Sequence, residues 1–98
     1  MNVDEVASLL LLKEKTVSVA EACTCGLVGY MLSSIPGSSK FFPGGVIAYS
    51  GDLKQKMLRV SDQLLRAKGT VSEDVAIAMA HGIREITGTD FGISTTGV

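Results

Sequence analysis

The sequence predicts a single α/β domain, a layered sheet whose strands are joined by helical crossovers. Three observations carry this expectation. Short runs rich in β-branched residues (TVSVAE at 16–21, VIAYS at 46–50, FGISTT at 91–96) alternate with longer stretches of helical periodicity. Turn chemistry separates them at Pro36-Gly37-Ser38-Ser39, Gly69 and Gly88. The chain of 98 residues has room for one small core and no more. The expected order is α-β-α-β-α-α-β.

Val3–Leu12 reads as the first helix, with Asp4 and Glu5 favourably placed against its positive N-terminal end. Thr16–Glu21 alternates β-branched and small residues and suits a strand. Leu27, Val28, Met31, Leu32 and Ile35 recur at helical spacing and predict a second helix over about 26–35. Pro36-Gly37 stops it. Within Phe41–Ser50, Pro43-Gly44-Gly45 reads as a turn and VIAYS as the strand. Asp52–Val60 and Ser61–Ala67 read as two short helical pieces, the second capped by Ser61 or Asp62 and ended by Gly69. Thr70-Val71-Ser72-Glu73 has capping-box spacing. It opens the clearest helix, about Glu73–Thr87, with Val75, Met79, Ile83 and Ile86 on one face and Gly88 as its stop. Phe91–Thr96 begins another strand.

Composition narrows the function classes. Apolar content of 46% with 19% charged residues describes a soluble globular chain rather than a disordered one. The formal net charge is -1 with the signs interspersed, so no basic stripe marks a nucleic-acid face. The longest apolar run, Leu9–Leu12, falls far short of the ~20 residues that cross a bilayer. MNVDEV carries no secretory pattern, so the expected compartment is the cytoplasm. Cys23 and Cys25 form a C-x-C pair, too tight for a usual structural disulfide and without partners for a zinc site. They read as reduced thiols, and no metal is expected.

Three clusters are candidates for chemistry. Cys23-Thr24-Cys25-Gly26 lies where a strand turns into a helix, and free amides and the positive dipole end there suit a phosphate or an oxyanion. The alternative is Thr24 as an ordinary N-cap beside two buried small cysteines. Gly37-Ser38-Ser39-Lys40 offers hydroxyls and a cation, or simply a turn. Tyr49 and Ser50 end a strand, with Lys54 one turn further on. A buried lysine of lowered pKa serves as a general base, whereas most lysines are surface groups. His81, mid-helix beside Gly82, is assigned no role.

These residues also carry a resemblance. KTVSVAEACTCGLVGYMLSSIPGSSKFFPGGVIAYSGDLKQKMLRV, then GTVSEDVAIAMAHGIRE, then TTGV resembles the CinA C-terminal domain family. That family includes the nicotinamide mononucleotide deamidases. Its signatures are AESCTGG, PGSS-x-x-F-x-GG-x-x-x-YSN-x-x-K, G-x-VS-x-x-V-x-x-x-M-A and a TGIAGP-like loop. The resemblance runs from about Thr16 to Val98 in order and spacing. It implies a three-layer α/β/α fold with a mixed sheet. It also implies hydrolysis of the nicotinamide carboxamide to nicotinate mononucleotide and ammonia, without a cofactor. The expected partner is a small nucleotide substrate, with a homo-oligomer also expected.

Carried over by position, the family's serine nucleophile falls on Ala22, which has no hydroxyl and forms no acyl intermediate. The lysine that activates it is kept as Lys54, and the tyrosine as Tyr49. The motif's asparagine has become Gly51, and the first glycine of its GG pair has become Cys25. Thr96 and Gly97 match the start of the TGIAGP-like loop, where the sequence ends, so the domain over 1–98 is expected to be incomplete at its C-terminal end. Gly26, Gly37, Ser38 and Ser39 remain as substrate-binding candidates beside Cys23, Thr24 and Cys25.

Three functions follow: an amidase, a nucleotide-binding member without catalysis, and an interaction module whose sheet a partner completes. Loss of hydrolysis at Ala22 is the leading expectation. A thiol in its place comes second. Extended chain would turn Cys23 to the opposite face, so Thr24 or Cys25 is the better placed if the turn begins early.

Overall fold

The computed structural model describes residues 1–98 and contains α1 (Val3–Lys13), β1 (Val17–Glu21), α2 (Leu27–Ser33), β2 (Gly44–Ile47), α3 (Gly51–Leu58), α4 (Asp62–Lys68), α5 (Glu73–Thr87) and β3 (Phe91–Thr95). The strands form one sheet in the order β2-β1-β3. All pairing is parallel, with Glu21 level with Ile47 on one side and Thr95 on the other. The α/β class is as expected, but the antiparallel pairing that a mixed sheet implies is not among these three strands.

Parallel strands need crossovers that cover both faces of a sheet, and the central strand then reads as fully buried. β1 is buried at all five positions. Its alternation sorts two cores. Val17 and Val19 pack with Ala7, Leu10, Leu32 and Phe41 under α1 and α2. Ala20 and Ala22 pack with Ala48, Leu58, Val60, Val75, Met79 and Ile83 under α3 and α5. The result is three layers, with Glu21 on the α2 side and Ala22 on the side of α3 and α5. Ser18 is buried on that second side, where its hydroxyl meets those of Thr89 (2.8 Å) and Thr87 (3.0 Å) at the end of α5.

Local chemistry sets most boundaries where the sequence places them. Asn2, Ser50, Ser61 and Ser72 cap α1, α3, α4 and α5 by accepting a backbone amide three residues on. The α5 cap is therefore Ser72, not Thr70 of the expected capping box. Gly88 ends α5 in the left-handed conformation. β2 starts earlier than the VIAYS reading, at Gly44. Gly45 belongs to the strand because a side chain there would overlap the Val19 carbonyl, so glycine brings β2 close to β1. No helix is long and apolar enough to cross a membrane.

Candidate active site

In open parallel sheets, sites form beyond the carboxyl ends of the strands. All three strands end at one level here, and a cavity of about 430 Å³ opens there, lined by Ala22, Tyr49, Lys54, Thr70, Val71, Thr96, Gly97 and Val98. Ala22, Tyr49, Lys54, Thr96 and Gly97, distant in sequence, are thus brought together around one cavity.

Lys54 is the chemical centre of this cavity. It lies on α3 and is only 1% exposed. Its ammonium donates to the carbonyls of Ala48 and Tyr49, each at 3.0 Å, where the chain leaves β2. No carboxylate pairs with it. Burial therefore lowers the Lys54 pKa, and the negative charge of a Cys23 thiolate opposes that shift. Two carbonyls hold the Lys54 amine in a fixed position. Tyr49 lines the cavity with a largely exposed side chain.

The turn from Ala22 to α2 is organised by a residue that the sequence reading passed over. The Glu21 carboxylate, 1% exposed, accepts the amides of Gly26 (3.1 Å), Val28 (3.0 Å) and Gly29 (2.8 Å) and the Thr24 hydroxyl. Burial would raise its pKa, but these bonds from Thr24, Gly29, Val28 and Gly26 outweigh it and hold the carboxyl below its usual range. The positive end of α2 is therefore already occupied by the chain's own anion. The Gly26 amide, expected to bind a substrate anion, is committed to Glu21. The Cys25 amide donates to the Ala22 carbonyl and that of Leu27 to Thr24. The amides of Cys23 and Thr24 carry no backbone partner. Thr24 is not the N-cap, a position taken by Gly26, and both cysteines are exposed rather than buried.

Cys25 occupies a left-handed backbone position (φ 49°), which explains the glycine of the resembled motif there. Cys23 is exposed and is not itself among the residues that line the cavity. The chain turns immediately after Ala22, so strand alternation no longer governs residue 23. A methyl group on Gly97 would come 3.3 Å from the Cys23 sulfur. The thiol thus lies against a residue that lines the cavity. Thr95 ties the turn to β3, its hydroxyl 2.7 Å from that of Thr24 and 3.3 Å from the Ala22 amide.

Gly37, Ser38 and Ser39 do not join this site. The Val17 amide at the start of β1 donates to the Phe41 carbonyl, which places the 37–40 turn at the amino end of the sheet. The Ser38 hydroxyl is spent on the Ser33 carbonyl. No three His, Cys, Asp or Glu side chains gather as metal ligands.

Residues 2–98 match the CinA C-terminal domain. The chain belongs to that family. It is similar to a CinA-like protein of Gloeothece citriformis, 54% identical over 84 residues, which cover 86% of this chain and 20% of that protein. A CinA-like protein of Gemmatimonas aurantiaca is 46% identical over 97% of this chain and 23% of its own length. Among solved structures, a competence-damaged protein (CinA) superfamily protein from Escherichia coli superposes with a TM-score of 0.95 at 32% identity, over 97% of this chain and 55% of that one. A competence/damage inducible protein from Agrobacterium tumefaciens gives 0.95 at 33% identity, over 98% and 58%. The chain thus spans about a fifth of the length of these curated relatives and just over half of the solved ones.

One prediction concerns Glu21. A carboxylate whose folded pKa is depressed stabilises the fold fully above its unfolded pKa, about 4.3, and that contribution is lost as pH falls through the lower folded value. Glu21→Gln is expected to cost about 1–3 kcal/mol at pH 7. Urea denaturation from pH 7 down to pH 2.5 should show the gap between parent and variant closing only below about pH 4.3. A constant gap over that range would mean that the charge on Glu21 contributes nothing.

Proposed function

We propose that the cavity between Ala22, Lys54 and Gly97 receives the carboxamide end of nicotinamide mononucleotide. We further propose that the serine-dependent amide hydrolysis implied by the family resemblance is closed in this chain at Ala22. The observation that carries the reading is Lys54. A buried amine held by two carbonyls and no carboxylate is costly to maintain, and positions of that kind are characteristic of sites. Its place beside Ala22, at the carboxyl ends of the strands, suits polarisation or deprotonation of a group bound there.

Ala22 favours the reading in which binding outlasts hydroxyl chemistry. Alanine leaves the cavity open but supplies no attacking oxygen. Calorimetric titration with nicotinamide mononucleotide tests the reading. Saturable binding is expected in the micromolar to millimolar range, weakened about tenfold by Lys54→Met. No binding heat at millimolar nucleotide, with the chain folded, would overturn it.

A further inference from the structure

We infer that Cys23 is the nucleophile of this cavity, a thiol standing in for the hydroxyl that Ala22 lacks and acting on the carbonyl carbon of an amide bound beside Lys54. The inference rests on the reading that a carboxamide enters the cavity. It goes beyond it by naming the attacking atom, which lies one residue away from the family position.

The geometry is specific to this turn. β1 ends at Glu21, and Glu21 pulls residues 24–29 around its own carboxylate. The chain therefore bends at Cys23 instead of continuing as a strand. The Cys23 sulfur comes to rest against Gly97, which faces the cavity with Lys54 and Ala22. Cys23 stands beside the cavity rather than in its lining, and Gly97 has no side chain to come between them. A negative charge on Cys23 would favour the charged form of the buried Lys54. Cys25, on the left-handed limb of the turn, is in neither relation.

The step balances with the groups present and water. The uncharged amine of Lys54 takes the thiol proton, and the sulfur forms a bond to the amide carbonyl carbon. The carbon–nitrogen bond breaks, and the Lys54 ammonium returns the proton to the departing nitrogen, which leaves as ammonia. Water then adds to the thioester with Lys54 as base. The carbon–sulfur bond breaks, giving the carboxylic acid and restoring the thiol. Nothing is oxidised or reduced. Burial lowers the Lys54 pKa, which is the direction that a general base needs.

Two single-thiol chains, Cys25→Ser and Cys23→Ser, test the inference, each with and without Lys54→Met. The first readout is alkylation by iodoacetamide at pH 7, which needs no nucleotide. Cys23 is expected to react about tenfold or more faster than Cys25 and to lose that advantage in Lys54→Met. The second readout is ammonia release from nicotinamide mononucleotide, with acid-quenched mass spectrometry for the acyl adduct. Both signals are expected in the Cys25→Ser chain and absent from the Cys23→Ser chain. Equal alkylation rates overturn the inference. So does release that survives Cys23→Ser, and so does a selective thiol that yields neither adduct nor ammonia although calorimetry shows the nucleotide bound. A fast, Lys54-dependent Cys23 in a chain that binds no nucleotide overturns the choice of substrate. Activation of Cys23 would then stand on the alkylation result.

Discussion

Gly82→Ala is expected to destabilise the fold by about 3 kcal/mol or more, although helix propensity alone predicts the opposite sign. Gly82 lies inside α5, where glycine costs about 1 kcal/mol relative to alanine. Its position decides otherwise. A methyl group on Gly82 would overlap the Leu58 carbonyl oxygen at the end of α3. Overlap with backbone is not relieved by a rotamer change, so α3 and α5 would have to separate. Those helices enclose the core made by Leu58, Val60, Val75, Met79 and Ile83, each no more than 1% exposed. For a domain of this size 3 kcal/mol corresponds to a fall of roughly 12 °C or more in Tm. A Tm within about 2 °C of the parent would show that the contact is looser than the structure makes it.

The same contact reaches the site. α3 carries Lys54, and the Lys54 carbonyl accepts the Val60 amide where α3 ends against α5. Gly92→Ala, whose methyl group would overlap the Ala80 carbonyl, is the matching test where β3 meets α5. It is expected to be destabilising to a similar degree while leaving the α3 contact untouched.

Much of this fold was legible because each helix announces itself locally. Ser61 and Gly88 are caps whose chemistry acts within four residues, so α4 and α5 are placed from sequence to within a residue or two, although the N-cap of α5 is Ser72 rather than Thr70. β2 was misplaced because its start depends on a partner. Gly44-Gly45 has turn composition, and only the close approach to Val19 makes it strand. Ala48 and Tyr49, expected in the strand, instead turn their carbonyls to Lys54.

The site shows the same division. Lys54, Tyr49, Ala22, Thr96 and Gly97 were found by motif, and the fold assembles them. The 37–40 turn, equally polar, lies at the other end of the sheet, and composition alone does not record which end a loop occupies. Glu21, Thr70 and Thr95 were missed, since their roles consist of contacts to residues that the sequence does not place beside them. For Glu21 one signal was available. An acidic residue closing a buried strand just before a glycine-containing turn into a helix is an anion at a helix N-terminus.

Ala22→Ser is expected to raise ammonia release from nicotinamide mononucleotide at least about a hundredfold. Ala22 is 3% exposed and lines the cavity with Lys54. A hydroxyl there needs no backbone change and stands on the same face of the sheet as the lysine. Two nucleophiles would then compete for one carbonyl, which makes the combined variants decisive. In Ala22→Ser with Cys23→Ser, activity should persist, because the hydroxyl no longer relies on the thiol. Adding Lys54→Met should abolish it, because both routes draw on one amine. A folded Ala22→Ser chain that binds the nucleotide and releases no more ammonia than the parent would overturn the expectation. It would place the missing group in the part of the CinA chains that this one does not span. The single hydroxyl thus tests how much of the proposed amidase site these residues hold by themselves.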